Sequence, residues 1–134
     1  MTATNPRPSI QYSDKTVLRA DRAMRCAPFR LRLFATMIQQ SVALGAISHT
    51  TGVQNKYTVN SLSELRVESE LLWLIQVGLL RREVDGQGLT DSFRVTPLGR
   101  SLVDKWQHPG VQRYSPTVGD RFYNAVLRWF RLPI

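Results

Sequence analysis

The chain has 134 residues, of which 43% are hydrophobic and 21% charged. This composition is typical of a folded domain rather than of a disordered chain, and the length suffices for one core without metals or disulfides. Cys26 is the only cysteine, so an internal disulfide is excluded and a reducing compartment is indicated. The net charge is +8, which favours acidic partners.

The positive charge lies in the two flanks of the chain. Residues 1–59 hold eight Lys/Arg and two Asp/Glu, residues 60–110 hold six and seven, and residues 111–134 hold four and one. The longest apolar run, residues 71–75, is far below the roughly 20 residues that cross a bilayer. The first residues lack the apolar block of a secretory signal. We therefore expect a cytoplasmic protein without integral membrane association.

Two helices are predicted after a flexible arm over residues 1–13. Residues 14–27 have apolar side chains at helical spacing, with Asp14 as a cap and Arg19, Arg22 and Arg25 among the other positions. Pro28 then breaks the helix and starts a second one over residues 28–40.

The middle of the chain predicts two further helices. Residues 41–53 are expected to form one short helix, capped by Ser41 and closed by Gly52. His49 lies near its end, where a histidine complements the helix dipole. The sequence "SLSE" is a capping box that opens a fourth helix over residues 61–78.

The spacing changes from helical to alternating at Leu79. Residues 79–84 and 91–96 predict two strands, and the glycines of "DGQGLT" between them predict a turn. Thr96 and Pro97 then cap and start a helix that continues to Trp106. Residues 107–116 are expected to be a linker, and residues 117–134 a C-terminal amphipathic helix.

The segment from Gly78 to Val103, with "GLLRRE" and "TPLGRSLV", carries a resemblance. Residues 41–106 resemble the winged helix-turn-helix of small bacterial regulators. The resemblance implies a mainly α fold of the α+β class, with a small β-hairpin wing in a domain over residues 14–106 and extra N- and C-terminal helices. The whole chain also resembles a family of small cyanobacterial proteins that share "GLLRREVDGQG", "TDSFR" and "TPLGR", and this second resemblance implies no particular activity.

The helix over residues 61–78, which corresponds to the third helix of a winged-helix domain, departs from a DNA-reading pattern. In DNA-binding winged helices it lies in the major groove, while the wing touches phosphate or the minor groove. Here Glu64, Glu68 and Glu70 crowd its first half and would repel phosphates. On its outer face, Trp73 is either covered by the first or last helix of the chain, or forms a partner-binding surface together with Val77.

Basic residues elsewhere predict contact with phosphates. The candidate nucleic-acid-binding residues lie on the first helix and on the wing: Arg19, Arg22, Arg25, Arg81, Arg82 and Arg94. Contacts of this kind would be independent of sequence and steeply dependent on salt. Glu83, Asp85 and Asp91 partly cancel the charge of the wing, so a solvated hairpin of mixed charge is the alternative.

The last helix has a polar stripe and an apolar remainder. Arg121, Asn124, Arg128 and Arg131 form the stripe, and Phe122, Leu127, Trp129 and Phe130 are the candidate partner or dimer interface. We expect docking, with Phe122, Leu127 and Phe130 buried against the domain or a second subunit. The alternative is that this basic aromatic helix lies on an anionic membrane.

No set of residues predicts catalysis. We find no His or Cys cluster with metal spacing, no nucleophile elbow and no acid–histidine couple, so we expect neither enzymatic activity nor a metal or cofactor. The resemblance to small regulators also implies a homodimer joined through the terminal helices. One hypothesis for function is a nucleic-acid-binding, transcription-regulator-like protein, favoured by the charge and the resemblance. The alternative, favoured by the acidic third helix, is a protein interaction module that does not read DNA.

Overall fold

A computed structural model describes residues 12–108, 114 and 116–130, without the side chain of Phe130. The elements are α1 (Asp14–Cys26), α2 (Leu31–Gln39), β1 (Val42–Ala43), α3 (Leu44–Ile47), α4 (His49–Gln54), α5 (Glu64–Gln76), β2 (Leu80–Asp85), β3 (Gly88–Val95), α6 (Pro97–Gln107) and α7 (Val118–Phe130). The strands form one antiparallel sheet in the order β1-β3-β2. The predicted α+β class, mainly helical with a hairpin, is confirmed. Of the predicted arm over residues 1–13, positions 1–11 lie outside the described residues.

The first two helices begin at different residues from those predicted. The Ser13 side chain, rather than Asp14, caps α1 by accepting a hydrogen bond of 3.1 Å from the Thr16 N–H. Helix α2 begins at Leu31 rather than at Pro28. The Arg30 N–H donates to the Tyr57 carbonyl at 2.8 Å, and this contact accompanies an extended backbone at the cap position.

The prediction of one helix over residues 41–53 is wrong. Strand β1 pairs with β3, Val42 opposite Phe93, and two short helices follow. The helix is interrupted between them because the Ser48 backbone is extended and His49 has a φ of 57°. The His49 N–H donates to the Leu62 carbonyl at 2.6 Å instead of continuing a helix. His49 therefore starts α4 and does not complement the C-terminal end of a helix dipole.

Helix α5 is capped two residues later than predicted. The Ser63 side chain, not that of Ser61, accepts a hydrogen bond of 3.1 Å from the Arg66 N–H. After the helix, Gly78 has a φ of 89°, a conformation that glycine adopts without strain. It turns the chain from α5 into β2.

The predicted hairpin and the helix after it are confirmed. Arg81 lies opposite Arg94 in the ladder between β2 and β3, and β3 begins earlier than predicted, at Gly88. The Thr96 hydroxyl accepts a hydrogen bond of 3.1 Å from the Gly99 N–H and donates one of 2.5 Å to the Gly78 carbonyl. Thr96 thus caps α6 and ties it to the start of the hairpin.

One hydrophobic core joins the helices to the sheet. Its largest fully buried side chains come from α1, α2, α3, α5 and the sheet: Met24, Leu33, Phe34, Met37, Ile47, Leu71, Leu74, Leu80 and Phe93. Each such side chain contributes about 1.5–3 kcal/mol by leaving water. Within the described ranges, no helix is both long and apolar enough to span a membrane.

Gly52 provides a test of the packing between α3 and α4. It lies inside α4 rather than closing the helix, and a Cβ there would overlap the backbone carbonyl of Ile47. We expect Gly52→Ala to lower the free energy of unfolding by about 2–3 kcal/mol, because the backbone must shift. Thermal and denaturant unfolding measure the change.

Gly45 is the matched control for that substitution. A Cβ at Gly45 meets nothing within 4 Å. Gly45→Ala should therefore leave stability unchanged or raise it by about 0.4–1 kcal/mol through the unfolded chain. Equal destabilisation by the two substitutions would contradict the described packing.

Candidate functional site

The three candidate arginines of α1 face the last helix. The Arg25 guanidinium donates to Asp120 Oδ2 at 2.8 Å and to Asp21 Oδ2 at 3.2 Å. Arg22 lies over the Tyr123 ring, 4.2 Å from its centroid, and its Nε is 3.7 Å from Asp120 Oδ1. Arg19 lines the cleft between α1 and α7. Arg22 and Arg25 therefore hold α7, and their charges are balanced within the chain.

The candidate arginines of the hairpin lie in two different environments. Arg82 contacts the Thr90 carbonyl at 3.3 Å, the Asp91 carboxylate at 3.5 Å and the Phe93 ring. Arg94 donates to the Ile38 carbonyl at 2.9 Å, and Arg81 pairs with Glu83 at 2.8 Å.

Arg81, Arg94 and Arg100 line one cleft of about 410 Å³ beside the start of α6. We name these three residues the arginine cluster. Arg100 was absent from the sequence-based candidates. The sequence could have indicated Arg100 as a candidate. Strand alternation predicts on which side of the hairpin Arg81 and Arg94 lie, and Arg100 on α6 lines the same cleft.

Part of the outer face of α5, at Glu70 and Trp73, is covered by α7. The Trp73 side chain is only 6% exposed, and its indole N–H donates to Asn124 Oδ1 at 3.0 Å. The buried Glu70 carboxylate accepts hydrogen bonds from Arg128 at 2.7 Å and from Arg66 at 3.1 Å. Val77 is buried as well. Of the two interpretations of Trp73, cover by the last helix is observed and an exposed anchor for a partner is wrong. Val77 is not exposed either, because it belongs to the hydrophobic core.

Helix α7 contacts α5 through its polar stripe and α1 through Asp120 and Tyr123. Asn124 and Arg128 contact α5, whereas Phe122 is 70% exposed and Trp129 is 83% exposed. Burial of Phe122 against its own domain was therefore a wrong expectation. Leu127 is partly buried against the core, and the side chain of Phe130 and all of Arg131 lie outside the described residues.

From the sequence, docking is expected through the apolar side of α7 and not through the polar stripe. In the structure, two polar side chains of the stripe each meet a complementary group of α5. An indole N–H needs an acceptor such as Asn124, and a buried carboxylate needs a cation such as Arg128. The sequence did contain a sign of this docking, because α5 carries acidic residues and the stripe of α7 carries Asn and Arg.

Exposed apolar side chains remain on both helices near the contacts between α5 and α7. Leu65 on α5 is 76% exposed, and Leu72 is half exposed. We call the exposed side chains of these two helices the α5–α7 surface; besides the two leucines it includes Glu64 and the partly exposed Glu68 on α5 and Val118, Phe122 and Trp129 on α7. A cleft of about 160 Å³, lined by Leu65, Glu68, Leu72 and Arg128 among others, runs between the two helices.

Asp120 fixes the start of α7. Its backbone N–H donates to Thr117 Oγ1, and its carboxylate accepts from the Thr117 N–H, both at 3.1 Å, in a reciprocal capping box. The hydrogen bond from Arg25, followed by that from the Thr117 N–H, lowers the pKa of Asp120 from 3.8 to about 2. The same carboxylate thus caps α7 and attaches it to α1.

Two further contacts bring the end of the chain back to α1. The Tyr114 hydroxyl donates to the Met24 carbonyl at 3.2 Å, and its ring packs edge-on against Trp106. Burial raises the pKa of Tyr114 well above its usual 10.

Of the predicted linker over residues 107–116, positions 109–113 and 115 lie outside the described residues. Over the described ranges, His, Cys, Asp and Glu form no group of three that could hold a metal ion.

Comparison with known proteins gives a family but no characterised relative. A model of the Npun_F0494-like family matches residues 10–128, so the chain belongs to that family. No curated protein and no solved structure matches the chain.

The contacts of Asp120 predict a dependence of stability on pH. The lowered pKa means that the carboxylate stabilises the fold above pH 3.8, and that this contribution is lost between pH 3.8 and about 2. Because Asp120 lies near the surface, we expect Asp120→Asn to lower the free energy of unfolding by about 0.5–1 kcal/mol at pH 7. Urea unfolding should show the two proteins converging near pH 2, and a constant difference at all pH values would contradict this assignment.

Proposed function

We propose that this member of the Npun_F0494-like family is a non-enzymatic winged-helix protein that acts as a protein interaction module through its α5–α7 surface. The element order supports the winged-helix assignment. The helices up to α5 lead into the hairpin of β2 and β3, and α6 follows directly. The pairing of β1 with β3 adds a third strand to the hairpin.

The observation that carries the proposal is the covering of α5 by α7. A recognition helix inserts an exposed face into the major groove. Here Trp73 and Glu70 on that face are bound to Asn124 and Arg128, and the exposed remainder includes Glu64, Glu68 and two leucines. Carboxylates and leucines on this face oppose contact with phosphates and favour contact with protein.

The α5–α7 surface also has the composition of a protein interface. Aromatic side chains dominate the binding energy of such interfaces, and Phe122 and Trp129 are mostly exposed, as is Leu65. Each large apolar side chain that stays in water forgoes about 1.5–3 kcal/mol of burial. A partner that covers this surface would gain that free energy.

The test is capture of partner proteins from native lysate by the tagged chain. If the proposal holds, captured proteins persist after nuclease treatment, and Leu65→Ser reduces their amount about tenfold, since a buried leucine contributes about 1.5–3 kcal/mol. Leu89→Ser is the matched control, because Leu89 is 74% exposed at the tip of the hairpin. Equal loss from both variants, or complete loss on nuclease treatment, would argue against the α5–α7 surface.

The arginine cluster favours a second candidate function, contact with nucleic-acid phosphates. Arg81 and Arg94 lie directly opposite each other, and like charges in that arrangement repel. Arg100 adds a third positive charge at the same cleft, whose lining contains no acidic residue, although Glu83 partly neutralises Arg81. An anionic group bound there would relieve the repulsion. This use of the hairpin would leave α5 outside the groove.

Salt titration tests this second function. If three phosphates are contacted, the logarithm of the affinity for mixed-sequence duplex should fall against the logarithm of salt with a slope of about −2.7. Arg100→Glu should weaken binding to all sequences alike and reduce that slope by about 1. Lys15→Glu, an equal change of charge on α1, should have little effect. A larger effect from Lys15→Glu would place the phosphate contacts on α1 instead.

A further inference from the structure

A further cleft, of about 450 Å³, lies where the end of α1 and its connection to α2 meet the start of α7. Three separate parts of the chain line it: the α1–α2 connection, the residues that precede α5, and the residues around the first turn of α7. We name it the Arg30–Arg121 cleft after the two exposed arginines at its wall. Its volume falls in the range of about 300–1,000 Å³ that is typical of small-molecule sites.

The charge of this cleft is positive. Arg25, Arg30 and Arg121 line it, and Arg25 is paired with Asp21 and Asp120. Among the residues that the structure describes, Arg30 and Arg121 form no ion pair. A guanidinium does not lose its proton in a protein, so both charges persist and are uncompensated.

The chain has no further acidic side chain with which to neutralise these two arginines. All ten Asp and Glu residues lie in the described ranges, and none of them lines the cleft. The positions outside those ranges carry neither Asp nor Glu. Because a cleft lined by one sign of charge concentrates ions of the opposite sign, we expect an anion from another molecule to enter it.

The remaining wall of the cleft suits an organic molecule rather than a bare ion. Seven of the twelve lining residues are apolar, with Phe29, Leu31 and Leu62 among them. The Tyr114 ring also lines the cleft and is held in place, because its hydroxyl donates to the Met24 carbonyl. Sites for organic ligands combine such an apolar wall with a few polar groups that fix the orientation of the ligand.

We propose that the Arg30–Arg121 cleft binds a small organic anion. Its carboxylate or phosphate group contacts Arg30 and Arg121, and its apolar body packs against Phe29 and Leu62. The paired N–H groups of a guanidinium match two oxygens of either acid group. The site lies on residues other than those of the α5–α7 surface and the arginine cluster, so it does not depend on the proposed function.

Heteronuclear NMR titration of the full chain provides the test, with naphthoate and naphthyl phosphate as probes. Both should bind with a Kd on the order of 1 mM or below, as expected for ligands of this size. The shift changes should centre on the amides of Arg30, Asn60 and Arg121. Inorganic phosphate keeps only the charge and naphthalenemethanol keeps only the apolar body, so each should bind at least about tenfold more weakly.

Substitution of the two unpaired arginines tests the contact with the acid group. Arg30→Ala and Arg121→Ala should each weaken binding of naphthoate by about tenfold, because each removes a charge-assisted hydrogen-bond donor. Arg32→Ala is the matched control, since it removes the same charge from an exposed position on α2 that does not line the cleft. It should leave the Kd unchanged. Circular dichroism melting checks that all three variants are folded.

Four results would overturn the proposal. The first is that neither naphthyl anion binds at about 10 mM, and the second is equal weakening by Arg32→Ala. Inorganic phosphate that binds as tightly as naphthyl phosphate would show an adventitious ion only. Shift changes centred on Arg81 and Arg94 would place the anion at the arginine cluster instead. Tighter binding of one naphthyl anion than of the other supports the site and identifies the acid group that it prefers.

Discussion

The orientation of the last helix depends on two buried polar groups of α5 that need partners, together with the contacts of Arg22 and Arg25 to α7. A buried N–H without an acceptor costs about 1–3 kcal/mol, and a buried carboxylate without a cation costs more. Asn124 supplies the acceptor for Trp73, and Arg128 the cation for Glu70. Both lie on one side of α7, so satisfying them fixes the rotation of the helix about its axis. Phe122 and Trp129 are exposed as a consequence, which means that the candidate interface follows from polar docking.

The parts of the fold that the sequence predicted well are those determined by neighbouring residues. The hairpin follows from alternation around two glycines, and α6 follows from Thr96 and Pro97, which act within one turn. The break between α3 and α4 depends instead on a hydrogen bond from His49 to Leu62, thirteen positions away. A small-residue segment such as residues 41–53 gives no local sign of that contact, so one continuous helix was the natural prediction.

At the candidate site, too, the features set by neighbouring residues were predicted and those set by distant contacts were not. Spacing alone correctly separated a polar stripe from an apolar remainder on α7, since both are properties of one helix. Which side faces the domain depends on what α5 presents, and this requires the positions of Glu70 and Trp73 in space. The general expectation that apolar faces dock was therefore wrong for Phe122. It overlooked that a buried indole and a buried carboxylate can determine the orientation of a neighbouring helix.

Net charge is a weak guide to partners here, because several arginines bind acidic groups of the same chain. Arg22 and Arg25 are paired with Asp120, and Arg128 is paired with Glu70. A close ion pair exerts little field beyond the screening length of about 10 Å, so the exposed arginine cluster, rather than the total of +8, is what a phosphate would encounter. That cluster and the α5–α7 surface lie on different elements, so the two proposed functions do not compete for the same residues.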